Sequence, residues 1–443
     1  MRHAFARFLS WVGGLFLLTI LSAVIIAAVA QREKAVPART ILEVNLEVDV
    51  VEEAPQHPLA QLTGQGRVSL RTLLAGLERG AEDDRVVGLV ARIGKSNIGM
   101  AQAQELRDAV ARFREKGKFA LAFSETFGEF AAGNSAYYLA TAFEQIWLQP
   151  SGDVGLTGIL MEPMFYKNAL DKLGIKPQGD QRYEYKNAFN SFVENKMTPA
   201  HREAMDKLAQ GWFSQLLRGV AAGRKLTEAE LRAMVDRGPF LGPEALKEKL
   251  VDQLAYRDEF FAKARERGGA GAQLLYLHKY VERTDKAERQ RLKKAPTLAL
   301  IYGLGGLQRG ASDYDPMNGS QSLGSDTVAA AFRDAVADHD VKAIVFRIDS
   351  PGGSYVASDT IWREVVRARA AGKPVIATMG NVAGSGGYFV AMAADKIVAQ
   401  PGTITGSIGI FGGKAVTTEL VDNRLGLTHD RIALGAHAGF WSM

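Results

Sequence analysis

Ser385 lies in the run Val382-Ala383-Gly384-Ser385-Gly386-Gly387-Tyr388. Glycines on both sides let backbone and substrate come close to the hydroxyl, and a strand-to-helix turn would set it at a helix start. Such a serine can attack a carbonyl, and its plainer role is an N-cap. Asp349-Ser350-Pro351-Gly352-Gly353-Ser354 follows an apolar run at 341–348. A Pro-Gly-Gly turn at a strand end can aim free N–H groups into a crevice, where they would stabilise the oxyanion of an acyl-transfer intermediate. Gly352, Gly353 and Gly386 are the candidate donors. An attacking hydroxyl also needs a proton acceptor, usually His or an uncharged Lys. Of seven histidines, His429 and His437 follow Ser385 in the chain, and none stands in an evident triad motif. Lys186 sits in the aromatic-rich stretch Tyr183-Glu184-Tyr185-Lys186-Asn187-Ala188-Phe189. Desolvation there would lower its pKa toward that of a useful base; a surface lysine is the plainer alternative. Ser407, in Thr405-Gly406-Ser407-Ile408-Gly409, offers a second hydroxyl that could orient an amine or simply serve a turn.

These residues are divided between two copies of one pattern. Residues 134–159 match residues 385–410 at an offset of 251, with Tyr137/Tyr388, Ala140/Ala391, Pro150/Pro401, Gly155/Gly406 and Gly158/Gly409 coincident. Upstream the offset is 255, and Val86, Val90, Arg92 and Gly117 match Val341, Val345, Arg347 and Gly372. The earlier copy has Asn134 in place of Ser385 and Leu156 in place of Ser407, and its loop 94–99 lacks Pro-Gly-Gly. The later copy places Ala438 or His437 opposite Lys186. One copy keeps the candidate base and the other keeps the nucleophile.

The elements that must position them alternate. Residues 42–50 alternate apolar and polar, a strand pattern; 70–82 reads as a helix with Ser69 as N-cap; 86–93 is a buried strand. A charged amphipathic helix over 101–116 and a strand over 119–123 follow. The second copy repeats the order with helices at 327–337 and 358–371 and strands at 341–348 and 374–379. Strand–helix–strand repetition implies an α/β fold with parallel sheets flanked by helices. The expected organisation is a first unit over 40–281, mostly helical across 160–265, a charged linker over 282–295, and a second unit over 296–443. Since 42 residues follow Pro401, the second unit is expected to be incomplete relative to the first.

Residues 8–30 carry no charge and are long enough for a hydrocarbon core of about 30 Å, so 1–31 is expected to be an uncleaved transmembrane signal anchor. The absence of cysteine excludes disulfides, thiol catalysis and Cys-ligated metal. No metal or cofactor motif is evident, and none is expected. Net charge is +5 with both signs mixed along the chain, which argues against nucleic-acid binding. The leading reading is an anchored serine endopeptidase acting on extended apolar peptides. The alternatives are an α/β-hydrolase-like esterase with a His base, a catalytically inactive membrane scaffold, and a crotonase-like acyl-CoA enzyme.

Together, Ser-Gly-Gly-Tyr, Asp-Ser-Pro-Gly-Gly-Ser, Thr-Gly-Ser-Ile-Gly and Tyr-Lys-Asn-Ala resemble the bacterial signal peptide peptidase A (protease IV) family in its long two-repeat form. The resemblance implies tandem ClpP/crotonase-like units and a Ser–Lys dyad, with Ser385 as nucleophile, Lys186 as general base and Ser407 orienting the lysine. It further implies a single-pass anchor in the bacterial inner membrane, a periplasmic catalytic part, a homotetramer at full length, and cleavage of released signal peptides. The pattern departs from the family's at the C-terminal end, where the second unit's helical part has no counterpart.

Overall fold

The computed structural model describes residues 35–53, 67–94, 98–129, 131–315 and 319–442. The apolar segment 8–30 lies outside them, and no helix among the described residues is long and apolar enough to cross a membrane.

Two parallel sheets form the frame. The first-half strands are β1 (Thr40–Leu46), β2 (Val86–Ile93), β3 (Phe119–Ser124), β4 (Gln145–Leu148), β5 (Lys176–Gln181), β6 (Gln253–Leu254) and β7 (Gln273–Tyr276). Those of the second half are β8 (Thr297–Leu304), β9 (Val341–Ser350), β10 (Val375–Gly384), β11 (Lys396–Ala399), β12 (Ile404–Gly406) and β13 (Phe411–Val416). The first sheet runs β6-β4-β3-β2-β1-β7; the second runs β8-β9-β10-β11, with β12 also paired to β10. The internal repeat is thus visible in the topology. Leu89 pairs with Ala120 as Ile344 pairs with Val375, and Leu121 faces Gln145 as Ile376 faces Lys396. In both units the first strand slips register after its first residue, at Thr40/Ile41 and Thr297/Leu298.

Helices form where the sequence reading put them, at Leu70–Glu82, Met100–Glu115, Ser325–Ala337 and Tyr355–Ala370. Ser69 Oγ accepts from Thr72 N–H at 3.4 Å, closing the N-terminus of the first. Three expectations change. The apolar–polar alternation of β1 does not leave one face wet: Ile41 clusters with Phe260 and Ala264 on one side of the sheet, Leu42 and Val44 join the main core on the other, and even Glu43 is only 8% exposed. Residues 282–291 of the expected charged linker are helical, the end of helix Leu277–Arg291, which buries Leu277 and Tyr280 and carries ion pairs one turn apart. Finally, β5 interrupts the region expected to be mostly helical and forms an antiparallel ribbon with β13, a strand of the second half.

That ribbon is one bridge between the units. Another is a buried polar cluster. Arg347 pairs with Glu52 at 2.8 Å and Glu105 at 2.7 Å, and Gln102 Nε2 donates to Glu52 at 3.0 Å. Arg347 belongs to the second unit and its carboxylates to the first. A buried pair of this kind strongly resists loss of one partner, since the other is left as an uncompensated charge.

Candidate active site

The strand β10 delivers Ser385 to the start of the short helix Gly386–Ala391. Ser385 has φ 52° and ψ −115°, a conformation that side-chain-bearing residues rarely adopt. Its N–H donates to Gly406 O at 2.9 Å, and its side chain makes no capping hydrogen bond. Among the described residues the Oγ has no hydrogen-bond partner.

The Pro-Gly-Gly loop presses against this turn. A Cβ on Gly352 would lie 2.7 Å from Gly386 N and 2.8 Å from Ser385 Cβ, and Gly352 has φ +100°, so only glycine fits. Ser350, fully buried, donates its Oγ hydrogen to Gly305 O at 2.6 Å and accepts from Gly352 N–H at 3.2 Å. The Gly352 N–H is therefore engaged within the loop rather than free as expected. Those of Gly353 and Gly386 have no acceptor among the described residues. Leu307 clasps the loop from outside, with its N–H on Gly352 O at 2.9 Å and its C=O taking Ser354 N–H at 3.0 Å.

Lys186 comes from the first unit, carried across by the β5–β13 ribbon. Arg182 N–H donates to Ile410 O at 2.8 Å and Lys186 N–H to Tyr183 O at 3.1 Å, turning the chain inward. Lys186 is 3% exposed, and its Nζ donates to Ser407 O at 2.7 Å and Ser407 Oγ at 3.0 Å. No carboxylate pairs with it among the described residues. Burial alone pushes its pKa below the ordinary lysine value. Ser407 immediately follows Gly406, which holds the Ser385 N–H, and a Cβ on Gly384 would lie 3.9 Å from Ser407 Cβ. Consecutive residues at the end of β12 thus anchor Ser385 and Lys186.

The alternative bases are elsewhere. His429 and His437 are exposed in the C-terminal stretch, His429 Nδ1 faces Asp422 at 3.2 Å, and neither contacts Ser385 among the described residues.

One group near the site was missed in the sequence reading. Asp349, just before Ser350, accepts Val382 N–H at 2.8 Å. Burial, with Glu52 nearby, pushes its carboxyl up to about 6 although the Val382 N–H opposes the shift. The unfolded value is about 3.9. Its stabilising contribution is therefore complete below about pH 3.9 and is lost as pH rises through about 6, by about 3 kcal/mol at about 1.4 kcal/mol per unit. Asp349→Asn is expected to remove this loss. Urea midpoints of the two proteins, compared from pH 4 to 7.5, should diverge in favour of the variant as pH rises. Parallel profiles would contradict the assignment.

A parallel-sheet α/β chain in which Gly406 holds a glycine-flanked serine and the next residue, Ser407, holds a buried lysine has the outline of a serine hydrolase. The comparisons supply the family. The Peptidase family S49 profile matches residues 126–271 and 367–443, segments that include Lys186, Ser385 and Ser407, and the chain belongs to that family. It is 36% identical to Protease 4 of Salmonella typhi over 346 residues, covering 75% of this chain and 54% of that protein. Serine protease SPPA, chloroplastic, of Arabidopsis thaliana is 30% identical over 84% of this chain and 54% of its own length. Protease 4 of Haemophilus influenzae is 29% identical over 80% of this chain and 58% of its own. The chain thus spans little more than half the length of these curated relatives.

Proposed function

We propose that this chain carries a serine endopeptidase site with a Ser–Lys dyad built from both halves. Ser385 Oγ attacks a peptide carbonyl while its proton passes to the neutral amine of Lys186. The N–H groups of Gly353 and Gly386 receive the oxyanion, and the Ser350–Gly352 bond holds the loop in shape. As the tetrahedral intermediate collapses, Lys186 returns the proton to the leaving amine and an acyl-enzyme remains. Lys186 then takes a proton from water, the hydroxide attacks the ester, and the acid departs as Ser385 regains its hydrogen. Ser407 holds the amine in line throughout.

The observation that carries this reading is Lys186 itself. It is a buried amine with two hydroxyl or carbonyl oxygens as partners and no counter-ion among the described residues, and such an amine favours its neutral form. The same reading takes the fold as tandem ClpP/crotonase-like units over 40–281 and 296–443. It takes the substrates as extended apolar peptides, among them released signal peptides. The uncharged segment 8–30 supports a single-pass anchor in the bacterial inner membrane with the catalytic part in the periplasm, and family resemblance supports a full-length homotetramer.

A fluorophosphonate probe tests the site. Tryptic mass spectrometry of the labelled chain should place the adduct on Ser385, and Lys186→Met should suppress it while His437→Ala leaves it intact. Labelling that survives Lys186→Met but fails in His437→Ala would replace this reading with an esterase-like one.

A further inference from the structure

The first unit contains a cavity of about 880 Å³ at the place where the second unit has its serine site. It is lined by Asn134, the counterpart of Ser385, and by Gly94 and Ile98, the counterparts of Asp349 and Gly353. Its volume is in the range of roughly 300–1,000 Å³ typical of ligand sites. The cavity has not been filled by larger side chains in the copy that lacks the nucleophile.

From this geometry we infer that the cavity is a second, non-hydrolysing binding site for an extended, uncharged apolar peptide segment. Three observations carry the choice of ligand. No described lining residue bears a charge, and the walls include Phe127, Ala132, Leu160 and Trp212. Phosphorylated ligands and charged peptides would leave their ions unpaired there. Along the rim, Ile159 and Leu160 run outside any helix or strand, and their backbone N–H and C=O groups have no partner among the described residues. An extended peptide can pair with such a segment as an added strand while its side chains enter the cavity. A fatty acyl chain would use the walls but not the rim. Finally, Asn134 is locked: its Nδ2 donates to Gly158 O at 2.6 Å and its Oδ1 accepts from Thr157 N–H at 3.3 Å. An amide held this way bonds to the wall and offers no nucleophile, so a bound peptide is retained uncut.

The site is also wired to the dyad. Trp212, in the cavity wall, donates its Nε1 hydrogen to Gly402 O at 3.1 Å, and Gly402 N–H donates to Gln104 at 2.7 Å. Gly402 opens the turn into β12, whose end holds Ser385 and Lys186.

The choice of a peptide ligand rests on reading the Ser385 cleft as peptide-binding, so the test separates the two sites. The probe is a nonapeptide of Leu and Ala with blocked termini, titrated calorimetrically into the full chain carrying Ser385→Ala. Two sites per chain are expected. Ala132→Trp, at an exposed lining position, should remove one, and Leu160→Asp, at a residue 78% exposed, should weaken that same site about tenfold. Leu160→Asp gives the answer should the tryptophan disturb folding. A lone site sensitive to both substitutions still supports the inference and counts instead against the Ser385 cleft. A stoichiometry unchanged by either substitution overturns it, as does myristate binding that the substitutions abolish when the peptide does not bind.

Discussion

Ser385→Ala is expected to lower hydrolysis of a peptide ester on the order of 10⁴-fold or more, the scale of nucleophile loss in serine hydrolases. The fold should be indifferent to the change. The side chain caps nothing, and alanine inherits the same unfavourable φ of 52°. Ser385→Gly makes the argument sharper, because glycine relieves a backbone conformation that costs about 1–3 kcal/mol for other residues. That variant should melt above the parent and be equally inactive. The pair therefore distinguishes a strained nucleophile from a structural serine, for which loss of activity would accompany loss of stability. Near-parental hydrolysis by either variant, with matching circular dichroism, would remove Ser385 from the mechanism. A glycine variant that melts below the parent would show that the hydroxyl, not the turn, is what the fold requires.

The sheets were legible in the sequence because two independent signals agreed. Apolar runs such as 86–93 and 341–348 gave the strands, and matched positions in the two copies gave the order. What the sequence reading missed depends on contacts distant in the chain. Alternation across 42–50 resembles a strand with one wet face, but a helix more than two hundred residues later, Arg257–Gly268, packs Phe260 and Ala264 against the Ile41 face and covers it. Charge density over 282–291 resembles a solvated linker, although the same charges stabilise a helix when spaced one turn apart and anchored by Leu277 and Tyr280.

The candidate site was legible to a similar depth. Glycines at 352, 353, 386 and 387 mark backbone approaches that no side chain permits, and a reader can see them without coordinates. The burial of Lys186 was anticipated for the wrong reason. Its aromatic neighbours Tyr183 and Tyr185 are 72% and 52% exposed and do not cover it. The amine instead sits on Ser407, next to β13, and both come from the other half of the chain. The Glu52–Arg347–Glu105 cluster was not seen at all, because Arg347 matches Arg92 in the repeat and so resembles a shared structural position. Arg92 pairs locally with Glu47 at 2.9 Å, whereas Arg347 reaches across to the other unit.

Lys186→Met should be nearly as damaging as loss of the serine, on the order of 10³-fold or more, because proton transfer and nucleophile activation fail together. The pH profile gives the decisive readout. In the parent, activity should rise with pH as Lys186 loses its proton, with a midpoint below the ordinary value of about 10.4, since burial favours the neutral amine. Stability follows the same sign. A group with a depressed folded pKa binds fewer protons when folded than when unfolded, so stability increases with pH between the folded and unfolded values. Methionine removes that slope, fills much the same volume and should stabilise the protein at neutral pH, where the parent must bury or neutralise an amine. Arginine at 186 stays charged at every accessible pH and should be inactive throughout, even though it can still reach the Ser407 oxygens. Rate–pH profiles and urea midpoints for the three proteins check this together. An active Lys186→Arg enzyme, or a parent whose rate is flat from pH 6 to 10 while Lys186→Met is inactive, would leave Lys186 a structural cation. The base would then have to be sought among groups that the ribbon does not carry.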